Sequence, residues 1–214
     1  MAVDARDLPS RRAALLWTAP NVLTLFRVAL VPVLVYLLHD PGRLAGFVAA
    51  LLFFLASLTD YFDGYLARKY GIVTTLGKFL DPLADKLIVT AVLIMLAAMP
   101  CVPGEPCVPR VPAWVVVVIV GRELAVTGLR AVAASVGVIV PASRLAKWKT
   151  VSQYVAITML IVEKGFDPPG FHVAAATVLW VALGLTVGSA VDYFYRFFRK
   201  ADYRAIVSGE ERWS

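Results

Sequence analysis

The feature that most constrains this fold is a series of six apolar stretches, each close in length to a membrane-spanning helix. A spanning α-helix needs about 20 mostly apolar residues. The stretches cover residues 22–38, 44–67, 80–99, 112–136, 145–163 and 172–195. Segments rich in Pro and Gly follow the first, third and fifth stretches. The pattern predicts an all-α integral membrane protein with six transmembrane helices.

Composition favours the same class. Hydrophobic residues make up 60% of the chain and charged residues 17%, whereas a soluble domain averages about 45–50% apolar and about 25% charged residues. We predict one six-helix domain over residues 21–200, between a juxtamembrane segment (1–20) and a cytoplasmic tail (201–214). The basic segment 5–17 is either an amphipathic surface helix or a frayed tail. We predict no signal peptide, because the N-terminus lacks a compact apolar core followed by a small-residue cleavage site.

The distribution of lysine and arginine predicts the orientation. Fourteen of these cations lie in the two termini and around the connections after the second and fourth stretches, which a six-helix topology places on one side of the membrane. The connections on the other side carry three, Arg43, Arg110 and Lys164. Cytoplasmic loops carry an excess of such cations. We therefore expect both termini on the cytoplasmic side of the cell (inner) membrane. The net charge of +6 then needs no nucleic-acid partner to explain it.

Four aspartates lie where the second apolar stretch ends and the third begins. Asp60 and Asp63 are three residues apart, and Asp81 and Asp85 are four apart, so each pair shares one helix face. A short connection would bring the two pairs together at the cytoplasmic interface. Clustered carboxylates repel unless cations lie among them, and oxygen ligands suit Mg²⁺ or Mn²⁺. Two such ions would balance four charges and would organise phosphoryl chemistry.

A structural role for the aspartates, or a role in transport, is also open at this point. Asp81 before Pro82 is typical of a helix start, and Asp60 and Asp63 fit a helix exit paired with Arg68 and its neighbouring lysine. A divalent-cation transporter is a further alternative for the whole cluster. Transporter sites lie near the bilayer midplane, whereas these acids gather at one interface, which argues against transport.

The stretch from Asp60 to Asp85 has the pattern D-x2-D-G-x2-A-R-x8-G-x3-D-x3-D. It resembles the signature of the CDP-alcohol phosphatidyltransferase family, whose members use an acceptor hydroxyl and divalent metals to displace CMP. The resemblance implies that Asp60, Asp63 and Asp81 bind metal and that Asp85 is the general base and a further metal ligand. It also implies a CDP pocket, for which the candidates are Asp60, Asp63, Gly64, Ala67, Arg68 and Gly77. Asn21, Thr24 and Arg27 recur at helical spacing and are further candidates for the edge of the nucleotide or acceptor site. Asn21 fits helix capping equally well.

Two further stretches resemble the bacterial phosphatidylglycerophosphate synthases of that family. They are TAPNVLTLFRVALVPVLV, and GRELAVTGLRAVAASVG with RLAKWKT, where Ala146 replaces the usual glycine. The resemblance implies CDP-diacylglycerol as donor and glycerol 3-phosphate as acceptor; a sister enzyme using an inositol phosphate is the alternative. A dianionic acceptor needs cations, and the candidates are Arg27, Arg122, Arg130, Arg144, Lys147 and Lys149. The last three also satisfy the positive-inside rule alone, and adjacent Glu123 is a possible counter-charge for Arg122.

The remaining expectations concern assembly and reactive groups. The resemblance implies a homodimer among membrane lipids, whereas the pair Gly184 and Gly188 is expected to pack within the chain. No Ser, Cys or His lies among the motif residues, so we expect no covalent intermediate. Cys101 and Cys107 are either bridged or free.

Overall fold

The structure is a computed structural model. It describes residues 19–39, 42–70, 75–99, 110–135, 141, 143–166 and 170–200, and the side chains of these ranges other than 19–21, 60–70, 75–82, 144, 164–166 and 200. The basic N-terminal segment, for which a surface helix and a frayed tail are both open, lies outside the described residues, as do the C-terminal tail and both cysteines.

All the regular structure in the described residues is helical. The helices are α1 Ala19–His39, α2 Arg43–Tyr70, α3 Thr75–Ala98, α4 Ala113–Ser135, α5 Arg144–Phe166 and α6 Phe171–Lys200. Each contains most of one of the six apolar stretches, so the prediction of six helices is confirmed. The helices α2 and α3 extend further into the aspartate-rich region than hydropathy indicates, and four residues, 71–74, separate them.

Two helices are long and apolar enough to cross a membrane, counting only described residues. These segments are Val22–His39 of α1 and Phe171–Arg199 of α6. A shorter apolar segment, Arg43–Thr59, begins α2. Charged residues interrupt the apolar sequences of α4 and α5, where Arg122, Glu123 and Lys149 lie inside the helices. By length and composition, a membrane-spanning role is thus supported for two helices of the six.

The outer surface of the bundle is strongly apolar. Leu44 and Val117 expose 77% and 69% of their surface. Other large hydrophobic residues with exposed side chains are Tyr36, Phe47, Ile94, Leu124, Val173 and Val191. Soluble monomers seldom expose contiguous apolar patches on this scale. The surface is therefore suited to contact with lipid.

All six described helices contribute side chains to an apolar core. Its fully buried side chains include Leu34, Phe53, Leu93 and Leu160. The helix α1 packs against α2 and α3, and both of these also pack against α5. Helix α5 packs most extensively against α6, and α4 completes the bundle against α3 and α6. The two aspartate-bearing helices therefore share two neighbours, α1 and α5.

Polar groups are buried in two layers, one on each side of this core. At the first layer, Lys149 and Gln153 of α5 meet residues of α4 and α6. At the second, Oε1 of the buried Glu163 lies 3.4 Å from Arg110 Nη1 and 2.7 Å from His172 Nδ1. Tyr154, the residue after Gln153 at the first layer, and Glu163 at the second layer are nine positions apart on α5, which is about 13 Å along the helix. The first layer is the one that contains Asp85 and Lys149.

Gly184 and Gly188 correct one expectation. Both lie on the exposed face of α6, and a Cβ atom built on either would meet no atom of the described residues within 4 Å. The prediction that this pair packs closely within the chain is wrong. A local G-x3-G spacing fixes which glycines share a face, but the orientation of the helix in the bundle decides what that face meets.

Candidate active site

The four aspartates of the motif lie inside helices. Helix α2 continues to Tyr70, well past Asp60 and Asp63, and α3 begins at Thr75, six residues before Asp81. The interpretations of Asp81 as a helix cap and of Asp60 and Asp63 as a helix exit are therefore wrong. Ionisable residues inside an apolar helix are rare and are usually functional. The side chains of Asp60, Asp63 and Asp81 lie outside the described residues, as do those of the predicted CDP-pocket residues Asn21, Gly64, Ala67, Arg68 and Gly77.

Asp85 is the one aspartate of the motif whose side chain is described. It is partly buried on α3, and its Oδ1 accepts a hydrogen bond from the Tyr154 hydroxyl on α5. The Tyr154 ring packs edge-on against Phe53 of α2, with 6.0 Å between ring centroids and 65° between ring planes. Residues of α2, α3 and α5 thus meet at this carboxylate.

Charges from three other helices act on Asp85. Arg27 of α1 is 3% exposed and attracts the carboxylate, as does the positive charge of Lys149 on α5. Glu123 of α4 is near enough to repel it. Buried charges are tolerated only when they are paired or hydrogen-bonded. Asp85 is therefore part of a polar cluster with mixed charges inside the bundle.

Glu123 is the centre of that cluster on α4. Its Oε1 accepts hydrogen bonds from Lys149 Nζ and, at 3.0 Å, from Arg122 Nη1. The Lys149 side chain is buried, with 6% exposure. The suggestion that Glu123 neutralises the adjacent Arg122 is confirmed, and Glu123 also supplies the counter-charge for Lys149. One carboxylate thus holds two of the cations predicted for the acceptor pocket.

The Arg122 guanidinium also joins α4 to α6. Its Nε donates to the Thr186 carbonyl at 3.2 Å, and its Nη2 donates to Ser189 Oγ at 2.8 Å. Gln153 of α5 donates to the Thr186 hydroxyl at 3.0 Å. Arg122 is therefore engaged by three partners within the chain, Glu123, Thr186 and Ser189. These contacts indicate a structural role for its guanidinium beside the predicted role in acceptor binding.

The remaining predicted acceptor residues are distributed more widely. Arg130 lies on the same face of α4 as Arg122, as its eight-residue spacing predicts, with its guanidinium carbon 5.7 Å from the centroid of the Tyr193 ring on α6. Lys147 is exposed, and the Arg144 side chain lies outside the described residues. The predicted acceptor cations that act electrostatically on Asp85 are therefore Arg27 and Lys149.

Comparison with known proteins adds a decisive observation. A sequence model of the CDP-alcohol phosphatidyltransferase family, described as CDP-alcohol phosphatidyltransferase, matches residues 17–188. The chain belongs to this family. The match includes the four aspartates, Arg27, Glu123, Lys149 and Tyr154. The charged residues of the polar cluster thus all lie inside the family domain.

Individual CDP-alcohol phosphatidyltransferases are similar over most of the chain. A CDP-diacylglycerol–glycerol-3-phosphate 3-phosphatidyltransferase of Bacillus subtilis is 43% identical over 84% of this chain and 94% of its own length. A protein of the same name from Rickettsia typhi is 44% identical over 82% of this chain and 94% of its own length. A probable phosphatidylglycerophosphate synthase of Mycobacterium tuberculosis is 42% identical over 84% of this chain and 81% of its own length.

The aspartates suit the divalent metals expected of a CDP-alcohol phosphatidyltransferase. Four aspartates lie on two helices separated by four residues, none is explained by a helix end, and carboxylate oxygens are the ligands that such metals prefer. The described side chains alone do not contain three metal-ligand candidates in one group. The donor set therefore depends on Asp60, Asp63 and Asp81 joining Asp85.

Four residues of the polar cluster were not predicted from the sequence. They are Gln153 and Tyr154 on α5 and Thr186 and Ser189 on α6. Gln153 lies four residues after Lys149, and Thr186 and Ser189 share a face of α6, so the helical period places them on buried faces. Polar residues on an otherwise apolar buried face were the available signal. That signal does not reveal which helix supplies the partner.

Proposed function

We propose that this protein transfers the phosphatidyl group of CDP-diacylglycerol to the primary hydroxyl of sn-glycerol 3-phosphate, giving phosphatidylglycerophosphate and CMP. The observation that carries the proposal is 43–44% identity, over more than four fifths of the chain, to relatives named for that reaction. The complete aspartate motif and the buried cations of α1 and α5 support it.

The donor site is proposed at the ends of α2 and α3 that are joined by residues 71–74. Asp60, Asp63, Asp81 and Asp85 would hold two divalent ions, Mg²⁺ or Mn²⁺, which when bound neutralise charge on the pyrophosphate and on the departing CMP. Arg68, two turns after Asp60 on α2, would take a phosphate oxygen through its planar guanidinium. Gly64, Ala67 and Gly77 would leave space for the nucleotide, with Asn21 at its edge.

The acceptor site is proposed beside Asp85, among the cations of α1 and α5. Arg27 and Lys149 are buried within electrostatic reach of that carboxylate, as a phosphate-bearing acceptor requires. Glu123 holds Lys149 in place, and Arg122 supports Glu123. Arg130, Arg144 and Lys147 would contribute to attraction of the dianion from the cytosol rather than to the closest contacts.

The reaction proposed is a direct displacement. Asp85 accepts the proton of the acceptor hydroxyl, and the oxygen attacks the phosphorus that bears the diacylglycerol. A new P–O bond forms to glycerol 3-phosphate as the P–O bond to CMP breaks, and CMP leaves with the electron pair. The proton on Asp85 then passes to solvent. No residue of the chain is bonded to the phosphatidyl group at any stage.

The membrane setting is part of the same proposal. All six helices would span the cell membrane, with the active site and both termini at the cytoplasmic face, and CDP-diacylglycerol would enter laterally from that leaflet. The excess of cations at that end supports this orientation. The functional unit would be a homodimer, as the family resemblance implies.

The buried core argues against a transport function for the carboxylates. Phe53, Leu93 and Leu160 are fully buried between the two polar layers of the described bundle. A cation crossing the membrane would have to pass this apolar packing, and Glu163 on the far side is held by Arg110 and His172.

The test is CMP release by the purified protein in detergent with CDP-diacylglycerol and Mg²⁺. The acceptors are glycerol 3-phosphate, inositol phosphate, inositol and serine, each with wild type and with Asp85→Asn. We expect release with glycerol 3-phosphate alone and a loss of about a hundredfold or more in the variant. Release with inositol phosphate instead would retain the catalytic site and reject the acceptor. No release with any acceptor would reject the proposed function.

A further inference from the structure

Tyr154 touches both helices of the aspartate motif. Its hydroxyl donates to Asp85 Oδ1 on α3, and its ring packs against Phe53 on α2. Phe53 precedes Asp60 by seven residues, so the two lie on one face of α2, about two turns apart. Tyr154 on α5 therefore links the helix of Asp60 and Asp63 to the helix of Asp81 and Asp85.

We propose that Tyr154 is a positioning residue that fixes the rotamer of Asp85 for the phosphatidyl transfer. The inference rests on the proposed function, in which Asp85 accepts the proton of the acceptor hydroxyl. A carboxylate can rotate about its Cβ–Cγ bond, and a hydrogen bond to one oxygen selects one orientation. With Oδ1 held by Tyr154, the direction in which Oδ2 points is fixed as well.

The surroundings of Tyr154 make it suitable for this role. The Phe53 side chain that supports its ring is fully buried, and Gln153, the preceding residue on α5, is fixed to Thr186 of α6. Just over one turn earlier, Lys149 is fixed to Glu123 of α4. This stretch of α5 is therefore held from three directions, and the hydroxyl is presented to Asp85 by a rigid support. Precise placement of a reacting group is worth large factors in rate.

The test compares Tyr154→Phe with wild type and with Tyr36→Phe. Tyr154→Phe keeps the ring against Phe53 and removes only the hydroxyl. Tyr36 is 81% exposed on α1, so its variant removes a phenol hydroxyl from the outer surface. For each protein we would measure kcat and the KM of both substrates, and count CDP-diacylglycerol sites by calorimetry in the presence of Mg²⁺.

We expect Tyr154→Phe to lower kcat by about 10- to 100-fold, the range typical of groups that orient a functional carboxylate or ligand. Both KM values and the number of binding sites should stay within about twofold of wild type, and Tyr36→Phe should match wild type. A kcat within about threefold of wild type would reject the inference. So would a loss confined to KM, which marks a substrate contact, or a loss of binding sites in proportion to activity, which marks a purely structural role.

These outcomes are distinguishable from failure of the proposed function. Wild-type protein that releases no CMP with any acceptor rejects the function itself. Wild-type protein that releases CMP with glycerol 3-phosphate, beside an equally active Tyr154→Phe, rejects only the role of Tyr154.

Discussion

Lys149 on α5 donates a hydrogen bond to Glu123 on α4, and both side chains are mostly buried. Glu123 Oε1 also accepts from Arg122, the residue before it. A buried lysine requires an anionic partner because the bundle interior cannot solvate its charge. The pair therefore joins two helices and at the same time keeps a cation within electrostatic reach of Asp85.

We predict that Glu123→Gln destabilises the protein by about 2 kcal/mol. Removing one partner of a fully buried pair costs about 3–5 kcal/mol, because the other charge is left without compensation. The loss here is smaller, because Glu123 retains 18% exposure of its side chain and glutamine retains a hydrogen-bond acceptor. Chemical unfolding in detergent, followed by circular dichroism, measures the difference.

Asp192→Asn is the matched control for that variant. Asp192 pairs with Arg196 one turn away on α6, at 2.8 Å and in a more exposed setting. Exposed pairs within one helix contribute about 0.3–0.5 kcal/mol. Equal unfolding free energies for the two variants would contradict a structural role for Glu123.

Lys149 and Lys147 give a comparison within one helical turn. Lys149 is buried within electrostatic reach of Asp85, whereas Lys147 is exposed. A charged hydrogen bond contributes about 1.5–3 kcal/mol, which corresponds to about 10- to 100-fold in affinity. We therefore expect Lys149→Met to raise the KM for glycerol 3-phosphate by about that factor and Lys147→Met to raise it much less.

Steady-state rates at several glycerol 3-phosphate concentrations give the acceptor KM of each variant. The KM of each variant for CDP-diacylglycerol is the internal control. Similar acceptor KM values for the two variants would mean that burial beside Asp85 does not decide which lysine binds the phosphate.

The contact between Arg122 and Ser189 is expected to stabilise the packing of α4 against α6. Arg122 Nη2 donates to Ser189 Oγ at 2.8 Å. A hydrogen bond to a charged group should give a coupling free energy of about 1–2 kcal/mol between the two side chains. A double-mutant cycle of Arg122→Met and Ser189→Ala, measured by unfolding in detergent, gives this value directly. Additive effects of the two substitutions would show that the contact contributes nothing to stability.

Removal of divalent metal should abolish activity reversibly. We expect no CMP release in excess EDTA and full recovery on addition of Mg²⁺ or Mn²⁺, because four clustered carboxylates require cationic partners. Asp60→Asn, Asp63→Asn and Asp81→Asn should each raise the Mg²⁺ concentration for half-maximal activity, by about tenfold or more.

Isothermal titration of Mn²⁺ provides a readout that does not depend on turnover. Full activity of the EDTA-treated protein, or Mn²⁺ binding unchanged in all three variants, would overturn the assignment of these aspartates as ligands.

Much of the fold follows from local sequence pattern. The six apolar stretches coincide with the six described helices, because a helix that lies among apolar neighbours requires apolar residues along most of its length. The aspartate motif is equally recognisable, since its residues are close in sequence and their spacing fixes their faces. The extent of α2 and α3 was less predictable: the predicted stretches end at residue 67 and begin at residue 80, whereas α2 continues to Tyr70 and α3 begins at Thr75.

The sequence by itself determined the helices, the shared faces of Asp60 with Asp63 and of Arg122 with Arg130, and the family. Each of these depends on helical periodicity or on a linear motif, which are properties of neighbouring residues. Only the tertiary structure decided that Glu123 holds Lys149, that Tyr154 reaches Asp85, and that Gly184 and Gly188 face outward. The reason is geometric. Local spacing sets positions around one helix axis, but partners 26 and 69 residues apart meet only through the rotation and packing of whole helices.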